Sequence, residues 1–520
     1  MSSKPLAHSW SWLLGACMVA GAGSVASAQE AASDAAGAGA TNKRLVTLEP
    51  RVMVSQGYTS NLRLSSSYPD AALVTTLAPG LSLRARGLEL NGNLDYSLNG
   101  IYYQKSAEPD RIHHQLSSQL RWAPADGSMF LQASASMSQQ NLSALGPRSV
   151  DPSLANANAT QVASLSVMPG LRLRLGEAAL LESQVNLVAN RAKDTDLGDH
   201  NGYAAGAVLR PAHAGAQLGW QVAADLQSNK PRVGRRIASD RLIGMLIYRP
   251  DPDWQVGVNF GADANNYASV NKERKAAYGL QLGWKPSPRT SAELAADHRS
   301  YGNTHSLAFE YRLPRLALRV SDIQQISPPG VQGGLGSRTN FDLLYQMLAS
   351  LEPDPEKRKA LVLAALKASG LPPDAVSTPG FLSSAVSLSR SRQMAALWQG
   401  VRTTVSLSLA HTSNLRLGAV SLPGDDLGLA SRVSQQGGIL TVSHKLTPMS
   451  TFSLGYTDQR THTDQAVLGS STHLRTLSAM LSVRLAESRT VSLNVRRAEM
   501  QSPLQPYVEN AVTGTLQQLF

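Results

Sequence analysis

TLSAMLSVRL, residues 476–485, changes character at every step: Leu477, Ala479, Leu481, Val483 and Leu485 fall on one phase, Ser478, Met480, Ser482 and Arg484 on the other. A period of two is the side-chain repeat of a β-strand, whose successive Cβ atoms point to opposite faces; an amphipathic helix would repeat every three or four residues. The next segment does the same, with Val491, Leu493 and Val495 against Ser492, Asn494 and Arg496. So do GLSLRARG (80–87), ELNGNLDYSL (89–98), SLSVMPGLRLRL (164–175), SQVNLVAN (183–190), TTVSLSLAH (403–411) and ILTVSHKL (439–446).

These segments come in pairs joined by short runs of turn formers at 85–87, 124–127, 176–178, 211–215, 251–253, 286–288, 314–315, 447–449 and 486–488. Between pairs lie longer polar connections such as GPRSVDPSLANANAT (146–160), RAKDTDLGDHN (191–201) and SNKPRVGRRIASD (228–240). Strands of roughly 10–14 residues, with tight turns at one end and long loops at the other, describe an all-β, up-and-down antiparallel barrel that crosses a membrane. A soluble sandwich or solenoid also alternates, but its strands are shorter. Counting up and down gives about 22 strands, within a range of about 20–24, with both chain ends on the short-turn side.

The count explains a repeated phrase. YTSNLRL stands at 58–64 and HTSNLRL at 411–417. Each is expected to end a strand that runs outward, with the polypeptide leaving for a loop. SSAVSLSRSRQMAALW (383–398) supplies the inward strand that this count requires before the second copy.

The chain begins with Lys4, an apolar run WSWLLGACMVAGAG (10–23) and Ala26-Ser27-Ala28, the layout of an export signal cleaved after residue 28. Leu14-Gly15-Ala16-Cys17 also reads as a lipidation box on Cys17. Cleavage after Ala28 removes the only cysteine, which excludes disulfides and thiol chemistry. It also takes the formal charge from +11 to +10, because Lys4 is the one charged residue lost. A basic exported chain favours anionic partners such as acidic polysaccharide or lipid head groups, with nucleic acid excluded by location. Residues 29–43 read as a disordered periplasmic leader, 44–325 as the first part of the barrel, 326–382 as an insert and 383–520 as the rest of the barrel.

The insert breaks the two-residue period. Phe341, Leu344, Tyr345 and Leu348 have helical spacing, and Asp354-Pro355 opens a second helix that Gly370 closes. The pair leaves the barrel on the outer side and is expected to cap the mouth, fold inward as a plug or decorate the surface. Its approach, GVQGGLGS (330–337), is too irregular for a phosphate loop.

Charge carries most of the functional signal. Arg84, Arg86, Arg121, Arg172, Arg174, Arg249, Lys285, Arg312, Arg319, Lys445 and Arg484 stand on the polar phase close to the short turns. They are expected to ring the lumen at its periplasmic end, either bare or balanced by turn acids such as Glu177 and Glu487. Acids including Asp199, Asp263, Asp297, Asp322, Asp425, Asp426 and Asp464 sit at the other ends. A cationic ring concentrates and selects anions. No H-E-x-x-H, G-x-S-x-G or P-loop is present, and His113-His114 lack metal-site spacing, so no enzyme, cofactor or metal is expected. The chain closes on ENAVTGTLQQLF, with Val512, Leu516 and Phe520 in one phase as an assembly signal for the barrel assembly machinery.

EPRVMVSQGYTSNLRL, LAPGLSLRARGLELNGNLDYSL, HHQLSSQLRW with MFLQASASMSQQ after it, DPEKRKALVLAALKASG, the second HTSNLRL and the terminal ENAVTGTLQQLF together resemble a family of outer-membrane β-barrels associated with the PEP-CTERM and exosortase system. The resemblance spans nearly the whole mature chain. A common form of that family carries an acidic residue where Ser60 and Ser413 stand. The resemblance implies a location in the outer membrane of a Gram-negative cell, contact with outer-membrane lipid, and a part in exopolysaccharide export beside other export components. It supplies no catalytic residues. The expectation is a passage for acidic exopolysaccharide, with a general anion porin or a non-conducting anchoring barrel as the alternatives.

Overall fold

The computed structural model describes residues 46–212, 217–332, 378–418, 424–465 and 471–520, with ten residues between 341 and 366. The export signal, Cys17 and the leader 29–43 lie outside the described residues. The strands are β1 (Val46–Thr59), β2 (Ala72–Arg86), β3 (Leu90–Gln104), β4 (Arg111–Trp122), β5 (Met129–Asn141), β6 (Ala159–Leu175), β7 (Ala179–Ala192), β8 (His200–Pro211), β9 (Leu218–Pro231), β10 (Ile237–Tyr248), β11 (Trp254–Asn265) and β12 (Glu273–Ser287). They continue as β13 (Thr290–Arg299), β14 (Gly302–Arg312), β15 (Leu316–Ser327), β16 (Gly330–Gln332), β17 (Phe381–Ser383), β18 (Val386–Gln399), β19 (Thr403–Leu417), β20 (Arg432–Thr447), β21 (Ser450–Thr463), β22 (Ser471–Ala486), β23 (Arg489–Gln501) and β24 (Tyr507–Leu519).

Each long strand pairs antiparallel with its neighbour in sequence. β15 pairs with β18 across the insert, and β24 closes on β1 from Arg51↔Leu519 to Thr59↔Ala511. The short β16 and β17, which flank the insert, form a separate antiparallel pair that is not part of the ring, which leaves a closed barrel of 22 strands. Closure satisfies every strand edge, the condition for β structure in lipid.

The two phases divide as their chemistry requires. On β21 Phe452, Leu454 and Tyr456 point outward, while Ser453, Gly455 and Thr457 point inward. Outward apolar side chains stay bare all round the ring: Phe260 is 69% exposed and Leu246 56%. An apolar belt of that extent on a closed barrel is a lipid-facing surface. Trp254 and Trp284 meet across β11 and β12, with centroids 5.8 Å apart near the turn rim, and supply a thin aromatic girdle.

One expectation needs correction, and another, that each twin heptapeptide ends a strand, is met in two different ways. Several strands exceed the expected length, and β6 has 17 residues. The tight turn 176–178 lets its ladder with β7 run on to Leu175↔Ala179, and the outward phase stays apolar to that end, with Leu173 and Leu175 exposed. The twin heptapeptides also differ in conformation. HTSNLRL lies wholly within β19, held by β18 on one side and β20 on the other as far as Leu415. In YTSNLRL β1 stops at Thr59. Beyond it Asn61 folds the chain inward, its Nδ2 donating to the carbonyls of Ser65 (2.8 Å) and Val508 (3.1 Å).

Candidate functional site: a basic mouth and an obstructed lumen

All eleven predicted ring cations lie at the turn rim on the inward phase. Arg84 and Arg86 end β2, Arg121 is in β4, Arg172 and Arg174 in β6, Lys285 in β12, Arg312 ends β14, Lys445 is in β20 and Arg484 in β22. Arg319 stands near the start of β15, and Arg249 follows β10, its Nε 3.3 Å from Gln255 Oε1. Their carboxylate partners come from neighbouring strands, not from the turn acids Glu177 and Glu487. Arg84 faces Glu49 (3.9 Å), Arg172 Glu182 (2.8 Å), Lys285 Glu293 (2.8 Å) and Arg319 Glu310. The reason is geometric, because residues opposite one another on one face of adjacent strands are neighbours, whereas turn side chains project past the rim. The first three pairs are partly exposed and contribute about 0–1 kcal/mol each, so their main effect is to cancel charge, whereas Arg319 is buried beside Glu310. Arg86, Arg121, Arg174, Arg249, Lys445 and Arg484 have no carboxylate partner among the described residues. Sequence reading missed Arg210, which shares Glu182 with Arg172 (3.2 Å).

The described residues of the insert lie inside the barrel at this end. Leu344, Val362 and Leu366 bury against Leu397 on the inner face of β18, with Phe341, Tyr345 and Leu348 packed beside them. Arg358 stacks its guanidinium over the Tyr345 ring at 4.8 Å. Lys359 Nζ reaches Asn93 Oδ1 on β3 (3.1 Å), nine places around the ring from β18 when counted through β24 and β1. The insert therefore bridges the lumen. Between it and the wall remains a cavity of about 790 Å³, lined by Arg84, Arg86, Asn93, Arg121, Lys359 and Leu363 among others.

The opposite mouth is filled by loops. Residues 142–158 leave β5 and cross it: Ser143 Oγ donates to Asp426 (2.7 Å), Arg148 to Thr472 Oγ1 (3.2 Å), and Asp151 pairs with Arg496 of β23 (3.3 Å). Ala155 then donates to the Leu62 carbonyl (3.1 Å) and Ser153 accepts from Tyr103 Oη (2.8 Å). Leu62, Leu64, Leu154, Ile101, Leu474 and Met500 pack beneath. The β16–β17 pair spans another part of the mouth, with Phe381 bridging to Asn141 of β5.

Asp425 and Asp426, known from sequence only as acids at the loop end, anchor this cover. Asp425 caps the helical turn Asp426–Leu429 by accepting from the Leu427 N–H (3.0 Å), and it also accepts from Ser383 Oγ and the Ser384 N–H. Asp426 accepts from Ser143 Oγ and the Ala144 N–H (2.6 Å). Burial pushes the Asp426 pKa up to about 6, against the pull of those hydrogen bonds and with the Asp425 charge adding to the rise. Burial likewise raises that of Asp425. His113 and His114 point to opposite faces of β4, where the His114 ring meets Tyr96 Oη at 2.8 Å. Among the described residues, no group of three or more His, Cys, Asp or Glu is placed to hold a metal ion.

The fold and this site define a membrane-spanning β-barrel with a basic inner mouth, an occupied lumen and a covered outer mouth. No family model matches the chain, and no curated protein matches it. Among solved structures it is similar to the FrpB iron transporter from Neisseria meningitidis (TM-score 0.47, 10% identity, covering 91% of this chain and 82% of that one). It is similar also to the siderophore receptor PiuA from Acinetobacter baumannii (0.46, 9%, covering 91% and 82%) and to OprD of Pseudomonas aeruginosa (0.32, 9%, covering 91% and 95%).

Proposed function

We propose that this chain is a gated passage in the outer membrane for polyanions leaving the periplasm, with an acidic exopolysaccharide as the cargo. The observation that carries the reading is the excess of cations over carboxylates around the turn-side mouth and its cavity, with Arg86, Arg121, Arg174, Arg249, Lys445 and Arg484 lacking a carboxylate partner among the described residues. Cations lining an entrance of low dielectric raise the local concentration of anions there. Beyond the entrance the inner face carries hydroxyls, as at Ser387, Ser389 and Ser391 of β18, which are buried here and would give a sugar chain weak, repeated hydrogen bonds only once the cover is displaced. The seated insert and the folded loops represent the closed state.

The test is planar-bilayer conductance of the mature chain with Arg86, Arg121 and Arg174 changed to Gln. These three are chosen because removing them orphans no carboxylate. Wild type should favour anions, and the triple variant should lose most of that preference; an unchanged ion preference refutes the basic-mouth reading. In cells, loss of the chain should abolish surface display of acidic polymer while leaving small-anion uptake intact, which separates export from a general anion porin. The obstruction at both ends favours a second reading, an anchoring barrel that never conducts. Deleting 337–370 distinguishes it, since a passage then opens and an anchor stays silent.

A further inference from the structure

Toward the loop ends the outward phase exchanges its apolar side chains for polar ones, and at two places arginines gather there around a shared carboxylate. On β15 and β18, Asp322 lies between Arg390 (2.6 Å) and Arg392 (3.4 Å). On β21 and β22, Asp458 lies between Arg460 (3.4 Å) and Arg475 (3.5 Å). A histidine completes each group: His305 3.1 Å from Asp322, and His473 2.8 Å from Asp458. The two groups are linked by register, with the strand tilt setting the second further toward the loop side than the first. Arg392 pairs with His411, His411 with Gln436 and Gln436 with Arg460, so three inter-strand steps, about 15 Å, separate them.

Immediately below, one outward step toward the turn rim, stand Val320, Met394, Tyr456 and Leu477. The groups therefore sit where hydrocarbon gives way to head groups, on the side of the long loops. Each has two guanidiniums for one carboxylate, hence a net positive charge even with neutral histidines. The four arginine side chains remain 36–57% exposed. Held at one edge by Asp322 or Asp458, each guanidinium keeps further N–H donors facing away from the wall, in the planar fork that matches a phosphate. The loop-end outward positions of β2 to β4 are uncharged, with Leu73, Thr75, Tyr102, Gln104 and Ile112, whereas Arg191 on β7, Asp240 on β10, Arg274 on β12 and Arg497 and Glu499 on β23 also carry charge at that level; two arginines sharing one carboxylate and one histidine is the arrangement found at Asp322 and at Asp458.

We propose that this arc, from β15 to β22, is a binding site for the phosphorylated glycolipid of the outer leaflet, with one phosphate seated on the Arg390–Arg392 pair and another on the Arg460–Arg475 pair. The occupant follows from charge and position: a two-phosphate head group with acyl chains lies against the apolar belt beneath while its phosphates meet the two cationic forks.

The experiment compares the full chain, folded in detergent and exposed to equal amounts of bisphosphorylated lipid A, its dephosphorylated form and phosphatidylglycerol, with retained lipid per barrel read by native mass spectrometry. Wild type should retain the bisphosphorylated lipid at least tenfold over the other two. Changing Arg390, Arg392, Arg460 and Arg475 to Gln should abolish that preference, while Arg86→Gln inside the lumen should leave it intact. The pairs R390Q/R392Q and R460Q/R475Q, made separately, should each reduce retention several-fold, so the site stays testable if the quadruple variant fails to fold. Equal retention by wild type and both paired variants overturns the proposal. So does equal retention of phosphatidylglycerol, or a wild-type dimer that the paired variants dissolve with no change in bound lipid.

Discussion

Acidification should tighten the outer cover, and Asp426 sets the size of the effect. The carboxylate is buried at 3% exposure, and its pKa stands at about 6 in the docked loop against an ordinary 3.8. A raised carboxylate pKa means that the docked state binds a proton more tightly than the released state. Docking is therefore most favourable below pH 3.8, weakens as pH rises toward about 6 and is flat above that. The gap corresponds to about 3 kcal/mol, or on the order of 100-fold in the docking equilibrium. Asp425, shifted the same way, adds to the trend. Amide deuterium exchange over 142–158, corrected for the intrinsic rate, should show clearly stronger protection at pH 5 than at pH 8. The Asp426→Asn variant keeps a neutral group that can accept from the Ala144 N–H and donate to Ser143, so its protection should be high at both values. Wild-type protection that does not change between the two, or a pH dependence that survives in Asp426→Asn, refutes the reasoning.

Leu397→Ala removes the wall contact of the insert. A fully buried leucine costs at least about 2 kcal/mol to truncate, so the seated fraction should shift by about 30-fold or more and conductance bursts should lengthen; a record identical to wild type refutes the plug contact. Arg496→Ala strands Glu509, which is 1% exposed and otherwise held by Thr59 Oγ1 (3.0 Å). The loss should be about 3–5 kcal/mol, read as a lower urea midpoint, and an unchanged midpoint excludes the buried pair as a stabiliser. Gly170→Leu drives a side chain into the Phe130 ring, which approaches to 2.0 Å of where a Cβ would stand; it should lower the same midpoint, and a tolerated substitution shows that Phe130 is free to turn away.

How much could be read beforehand depended on the range of the interaction. Alternation in TLSAMLSVRL and turn formers at 176–178 are local, and they were enough to place the strands, their direction and the inward phase of Arg172 and Arg174. The Arg172–Glu182 pair crosses a single hairpin and lies within reach of the same reasoning. The Arg496–Asp151 pair joins residues 345 positions apart and depends on where a loop lands, which no periodicity encodes. The twin heptapeptides make the same point: identical TSNLRL is strand when β18 and β20 flank it, and loop when Asn61 captures the Ser65 and Val508 carbonyls. Helical spacing announced the insert from Phe341 to Leu348, but its inward course depends on the Leu397 surface and on Asn93, contributed by distant strands.

The seam between β1 and β24 has a consequence for biogenesis. Apart from the step from β15 to β18, the other ladders of the ring join strands consecutive in the chain and can form as the polypeptide is delivered. The seam alone waits for the final residues, and its Thr59–Glu509 contact unites positions 450 apart. Until then β1 and the most recently added strand are open edges, with unpaired N–H and C=O groups that lipid cannot satisfy. A polypeptide truncated before Tyr507 thus has no stable resting form in the bilayer, and must stay with the assembly machinery or be degraded. Completion is all-or-none, and the seam acts as a built-in proofreading step for full-length synthesis.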